Sequence, residues 1–153
     1  MPIPTNSGPA GNPAEVPPIS DDELVYRRLL RAGWYRNQEN PKIPLKFFMP
    51  RPWVTVEKPG DVDGLSVNRA SLISEFDASK RSDTGERLPM ARFAVAEVYR
   101  IGLTVRPAPS LDDLSHAVIP ELNSLDQRDS EKATQMEEWA LALRNCSVLI
   151  KSL

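Results

Sequence analysis

His116, the only histidine, and Ser66, in the run Gly64-Leu-Ser-Val-Asn68, are the residues of this chain best suited to moving or placing a proton. An imidazole titrates near neutrality, so His116 is the candidate general acid or base, and the bland alternative is a structural or solvated histidine. Ser66 would orient a substrate beside it. As a nucleophile it would need a base held by a third group, and the glycine-flanked turn of a nucleophile elbow is absent. Arg51 and Arg69, with Asn68, Asp63 and Arg28 near them in sequence or pattern, are the candidate ligand-binding groups. A guanidinium grips a phosphate or carboxylate with two parallel bonds, so two convergent arginines would make a clamp. The competing reading pairs them with Asp61, Asp63 or Glu75 at the surface.

The sequence offers no metal centre, since a lone histidine lacks acidic or cysteine partners at ligand spacing. Glycine-rich phosphate loops and paired Cys-x-x-Cys motifs are missing too, so no cofactor is expected. Cys146 falls in an apolar helical stripe, where packing is favoured over reactive chemistry.

Positioning these groups falls to the segment from Phe47 to Arg69, FFMPRPWVTVEKPGDVDGLSVNR, and to a later strand, Leu114 to Ile119. Ile43, Leu45 and Phe47 alternate, Trp53 to Lys58 is β-rich, and Pro59-Gly60 and Asp63-Gly64 are turn dipeptides that fold the chain back toward Leu65 to Asn68. Arg69 to about Ser79 reads as a helix with Leu72, Ile73 and Phe76 on one side. Leu103 to Arg106 is a strand, able to pair antiparallel with Leu114 to Ile119. A crease of Arg51, Ser66, Arg69 and His116 requires the middle β-rich region and the late strand to lie side by side in one sheet.

Six prolines within residues 1–18 leave almost nothing to bury, which predicts a disordered, proline-rich arm over 1–19. Ser20-Asp-Asp-Glu23 fits a capping box opening a helix to about Arg31, while Leu24-Val-Tyr-Arg-Arg-Leu-Leu also reads as a strand. Pro89 and Gly102 bracket a helix with Met90, Ala94, Val98 and Ile101 along its buried stripe. Met136, Trp139, Leu143, Cys146 and Ile150 define one face of a final helix capped by Asp129 or Ser130. The expected class is α+β: residues 20–153 as one domain, a small, partly antiparallel sheet with packed helices, and a long C-terminal amphipathic helix.

A hydrophobic content of 41% over 153 residues supports a genuine core. A net charge of -2 gives no bulk positive field for nucleic acid. One cysteine cannot make an internal disulfide, and no apolar run is long enough to span a bilayer, so no membrane contact and a cytoplasmic location are expected. Trp34, Tyr35, Phe47, Phe48 and Trp53 interleave with Arg31, Arg36, Lys46 and Arg51, a pattern that suits either a core with a basic rim or single-stranded RNA.

Tyr26-Arg-Arg28, then Asp63-Gly-Leu-Ser-Val67, then His116-Ala117 resembles a group of small uncharacterised bacterial proteins over roughly residues 22 to 120. That resemblance implies bacterial origin and a strand at Val25 to Arg28, with no settled activity to carry over. A Tyr-Arg strand followed by a Gly-hydrophobic-Ser strand is also similar to compact NAD-binding folds of the ADP-ribosyltransferase type. Their catalytic glutamate has no clear counterpart here, although Glu97 and Glu121 are available.

The leading functional reading is a protein-interaction module, of a toxin–antitoxin or defence-type pair, whose final helix meets a protein partner or a second copy through Trp139 and Leu143. The alternative is a small nucleotide- or NAD-directed enzyme using the Arg/Ser/His crease. RNA binding through the aromatic-basic first third comes third.

Overall fold

The computed structural model describes residues 16–29, 42–80 and 84–151. Its six strands are β1 (Leu24–Arg28), β2 (Leu65–Arg69), β3 (Met90–Ala94), β4 (Arg106–Pro107), β5 (His116–Ile119) and β6 (Val148–Ile150). They form one sheet in the order β4-β5-β2-β1-β3-β6, and every pairing is antiparallel. Among the described residues three α-helices complete an α+β fold: α1 (Glu75–Ala78), α2 (Val95–Ile101) and α3 (Ser130–Cys146). None is long and apolar enough to cross a membrane.

The register sets the middle and late segments side by side. In the β2–β5 ladder Ser66 faces Val118 and Asn68 faces His116. Gly64 makes this approach possible: it has φ +131°, and a Cβ there would sit 2.5 Å from the Ile119 carbonyl oxygen. Val25, Val67, Ala91, Phe93, Ala117 and Ile119 occupy one face and join the main core with Val98, Met136, Ala140 and Leu143 from the helices. Tyr26 and Met90, on the opposite face, form a smaller cluster with Ala78, flanked by Ala70, Ile73 and Ile150.

Several expected elements are different in the fold. Leu24 to Arg28 is a strand, not a capped helix, because the β-branched and aromatic residues Val25 and Tyr26 are held on both sides by β2 and β3. Half of the capping box still forms, the Ser20 N–H donating to Glu23 Oε1; the Glu23 N–H goes to the Ser20 carbonyl rather than to its hydroxyl, which donates to Asp22, and these bonds close a turn ahead of the strand. Leu45–Phe48 is a 3-10 turn. Trp53 to Lys58 is no strand either; it is a tight turn in which the Val54 and Thr55 N–H groups both reach the Lys58 carbonyl. Prolines 52 and 59 on either side deny that segment the ladder bonds a strand needs.

Arg69 is the last residue of β2, and the helix that follows begins only at Ser74, whose Oγ accepts the Asp77 N–H. Met90 to Ala94 is strand, so the helix expected from Pro89 shortens to α2; Gly102 does end it, in the left-handed region at φ +104°. The strand expected at Leu103 to Arg106 is confined to Arg106 and Pro107, yet it pairs antiparallel with β5 as expected. Asp129 caps α3 by accepting the Glu131 and Lys132 N–H groups. Ile150 leaves the helical stripe and pairs with Met90 in the sheet. The arm expected over 1–19 lies outside the described residues as far as residue 15, whereas the Pro17 and Pro18 carbonyls are bonded into the fold by Arg69.

Candidate functional site

Pairing β2 with β5 brings Ser66 and His116 together. Ser66 Oγ lies 3.1 Å from His116 Nε2, and His116 Nδ1 lies 2.8 Å from the Ala108 carbonyl oxygen. A carbonyl only accepts, so Nδ1 carries a proton. In the neutral ring Nε2 is then the bare nitrogen, and it accepts from the Ser66 hydroxyl. This is the tautomer a general base requires: a hydroxyl on one nitrogen and an orienting acceptor on the other. Both residues are partly exposed.

The loop that supplies the Ala108 carbonyl is itself held in place. Asn68 Nδ2 donates to Asp113 Oδ2 and to Ser115 Oγ, each at 2.8 Å. Ser115 returns its backbone N–H to Asp113 Oδ1 at 3.1 Å. Asn68 therefore acts as a brace that fixes the 108–115 connection over the sheet, and with it the orientation of the imidazole. The Ala108 N–H also donates to the His116 carbonyl at 2.9 Å.

Arg27 braces the other side of Ser66. The β1–β2 ladder runs from Val25↔Arg69 to Tyr26↔Asn68 and goes no further. In place of the next rungs, Arg27 Nη1 donates to the Ser66 carbonyl at 2.9 Å and Nε to the Phe47 carbonyl at 3.0 Å. Burial draws its pKa down to about 10, an effect that Asp61 opposes and Arg51 and Arg28 reinforce.

The expected arginine clamp does not assemble. Arg69 is 1% exposed and faces the core side, with Nε 2.7 Å from Glu23 Oε2 and Nη2 3.0 Å from Glu23 Oε1. Its remaining donors go to the Pro17 and Pro18 carbonyls, so it is a structural residue. The hydrogen bonds from Arg69 hold the Glu23 carboxyl below its ordinary range, and burial partly opposes them. Arg51 pairs with Asp61 through Nε and Nη2, at 3.0 and 2.9 Å. Arg28 shares the sheet face of Ser66, by strand alternation through Tyr26 and Asn68, and Nη1 donates to the Lys80 carbonyl. Asp63 is exposed on the turn before Gly64. The fold thus gathers Ser66, Asn68, His116 and Arg28 on one face and sends Arg51 and Arg69 elsewhere.

The expected partner-binding residues also separate. Leu143 is fully buried in the chain's own core, so it is not offered to a partner. Trp139 is half-buried against that core and lines a small cleft with Glu121, Lys132 and Met136. Burial raises the Cys146 thiol pKa, which disfavours the reactive thiolate. Among the described residues, no three His, Cys, Asp or Glu side chains meet at a spacing that could hold a metal ion.

Two features go beyond what the sequence signals. One is the Ala108 carbonyl behind His116. The other is a groove of about 360 Å³ whose basic lining is Arg27, Arg28, Lys46 and Arg51 and which also takes in Gln127. The interleaving of aromatic and basic residues hinted at Lys46 and Arg51, but Gln127 joins them only through the fold.

No protein-family model matches the chain, and no curated protein or solved structure matches it either, leaving the geometry to carry any functional reading.

Proposed function

We propose that the chain is a small acyl-transfer hydrolase in which Ser66 is the nucleophile and His116 its general base. One observation supports this reading: the aligned chain of Ser66 Oγ, His116 Nε2 and Nδ1, and the Ala108 carbonyl. Ser66 Oγ would attack an ester or amide carbonyl carbon while its proton passes to Nε2. Breaking the bond to the leaving group returns that proton to the departing oxygen or nitrogen, leaving an acyl-Ser66 ester. Water then attacks the ester, His116 takes the water proton, and transfer back to Ser66 Oγ frees the acid. The Ala108 carbonyl fixes the tautomer and steadies the imidazolium, the part a carboxylate plays in a full triad. Arg69 enters none of these steps.

A fluorophosphonate, which phosphonylates activated serines, tests the proposal on the full chain. The native protein should gain one adduct, located at Ser66 by peptide mass spectrometry, and Ser66→Ala should gain none there. Replacing His116 with Gln keeps a polar group but removes the base, and should slow labelling by about 100-fold or more. An unlabelled native chain, or equal rates with and without the imidazole, would remove the nucleophile assignment.

A protein-interaction module is the second reading, and a different observation favours it. Val54 and Val56 project from the 53–58 turn with 68% and 79% of their surface exposed. Neighbouring apolar side chains on a turn tip suit a contact with another chain or a second copy. Self-association through this tip predicts a concentration-dependent dimer in sedimentation velocity that Val54→Lys together with Val56→Lys dissolves. The same monomer in both proteins at all concentrations would end the homo-oligomer form of this reading.

A further inference from the structure

The basic groove adjoins the Ser66–His116 pair through Arg27, which bonds the Ser66 carbonyl, and it has the make-up of a site for a small anion. Four cations line it, and among the described residues its lining includes no carboxylate. Arg51 is set in place in advance. Its backbone N–H donates to Asp61 Oδ2 at 2.6 Å, and its Nε and Nη2 hold Asp61 Oδ1 at 3.0 and 2.9 Å. The Asp61 side chain is only 6% exposed whereas that of Arg51 is 70% exposed, so a buried carboxylate orients a guanidinium whose outer edge faces solvent. Gly60 allows this tight passage: its φ is +73°, and a Cβ there would lie 2.1 Å from the Arg51 carbonyl oxygen. A guanidinium oriented before binding loses less entropy when it grips a ligand.

The cations also work against one another. Arg51 and Arg28 both push the Arg27 guanidinium toward its neutral form, and an anion in the groove would relieve that repulsion. An independent feature marks the same place. Gln127 Oε1 is buried and has no hydrogen-bond donor among the described residues. Buried polar atoms in native folds are nearly always satisfied; this one has no surface of its own in the groove that Gln127 lines, and a turn of the side chain would bring it to a ligand donor there. Phe47 and Met49 add an apolar wall, with Lys46 Nζ 5.6 Å from the Phe47 ring centre.

We propose that this groove binds a small phosphate monoester whose organic part carries a hydroxyl or amino donor, with a mononucleotide as the ligand of that chemistry. The arginines and Lys46 take the phosphate, Gln127 Oε1 accepts the donor, and Phe47 and Met49 lie against the flat base. A volume of about 360 Å³ falls within the range of small-ligand clefts.

Calorimetric titration of the full chain with AMP, adenosine, inorganic phosphate and a short single-stranded RNA tests this. AMP should bind with a Kd of about 1 mM or tighter, and adenosine should not bind measurably. Lys46→Ala should weaken AMP by about 5-fold, and Arg51→Lys, which keeps a cation beside Asp61 but loses the fork, by about 10-fold. Gln127→Leu should weaken AMP while leaving inorganic phosphate unchanged. The proposal falls if AMP binds no tighter than inorganic phosphate, if neither Lys46→Ala nor Arg51→Lys changes its affinity, or if the RNA binds where AMP does not.

Discussion

Replacing Arg69 with methionine is expected to cost about 3–5 kcal/mol, a large part of the ~5–15 kcal/mol that holds a domain of this size together. The loss comes chiefly from Glu23, whose carboxylate would stay buried after its two bonds to the guanidinium are gone. The Pro17 and Pro18 carbonyls would lose their donors as well. Urea denaturation followed by circular dichroism measures the effect, and a cost below about 1 kcal/mol would contradict a desolvated pair. Combining Arg69→Met with Glu23→Gln removes both charges and should recover much of the loss, since taking out a whole buried pair is often nearly neutral.

The same pair gives a pH signature. The folded-state pKa of Glu23 lies below the ordinary 4.5, so its contribution is complete above that value and is lost as pH falls through the lower folded pKa. The native chain should lose stability on acidification in that window. The doubly substituted chain should lose less over the same interval.

Gly64→Ala carries the second large expected effect, a loss of about 3 kcal/mol or more, because two penalties coincide. At φ +131° the new residue would occupy backbone space that L-residues rarely enter. Its Cβ would also lie 2.5 Å from the Ile119 carbonyl oxygen and 2.8 Å from Pro120 Cα, both main-chain atoms with little room to retreat. Gly102→Ala is the matched control. Its φ of +104° is strained too, but nothing lies within 4 Å of the added carbon, so only about 1 kcal/mol is expected. Thermal melts of the two variants separate collision from conformation, and equal shifts would show that the close approach of β2 to β5 is looser than described. Since Gly64 sets that approach, Gly64→Ala should also slow fluorophosphonate labelling of Ser66.

Legibility in the sequence followed how local each determinant is. The strand at His116 to Ile119 shows in a β-prone run stopped by Pro120, and the start of α3 in the Asp129 cap. Met90 to Ala94 misled because methionine, alanine and arginine favour helices, while a strand with apolar residues buried on both faces shows no clean alternation to betray it. Val54 and Val56 looked like strand residues, yet the flanking prolines and the lack of an opposing surface leave them on a turn. The burial of Arg69 was invisible because its partner stands 46 residues earlier, and charged residues are almost never buried unless paired. Ser66 and His116 were both recognised as reactive types. Their meeting depends on a ladder closed across 50 residues, and the orienting group is a main-chain carbonyl that any residue could supply.

The strand order has a bearing on how the chain reaches its native state. Two neighbouring pairs in the sheet are successive in the chain, β1–β2 and β4–β5, and of these the second alone is joined by a short connection, residues 108–115. Every other rung joins segments separated by long stretches of polypeptide, so a simple hairpin cannot seed most of the sheet. Closing such loops carries an entropic penalty before any packing repays it, which slows assembly relative to a helical bundle of similar length. Until those closures occur, the β2 and β3 edges remain open to pairing with other chains, so refolding yield should fall as protein concentration rises.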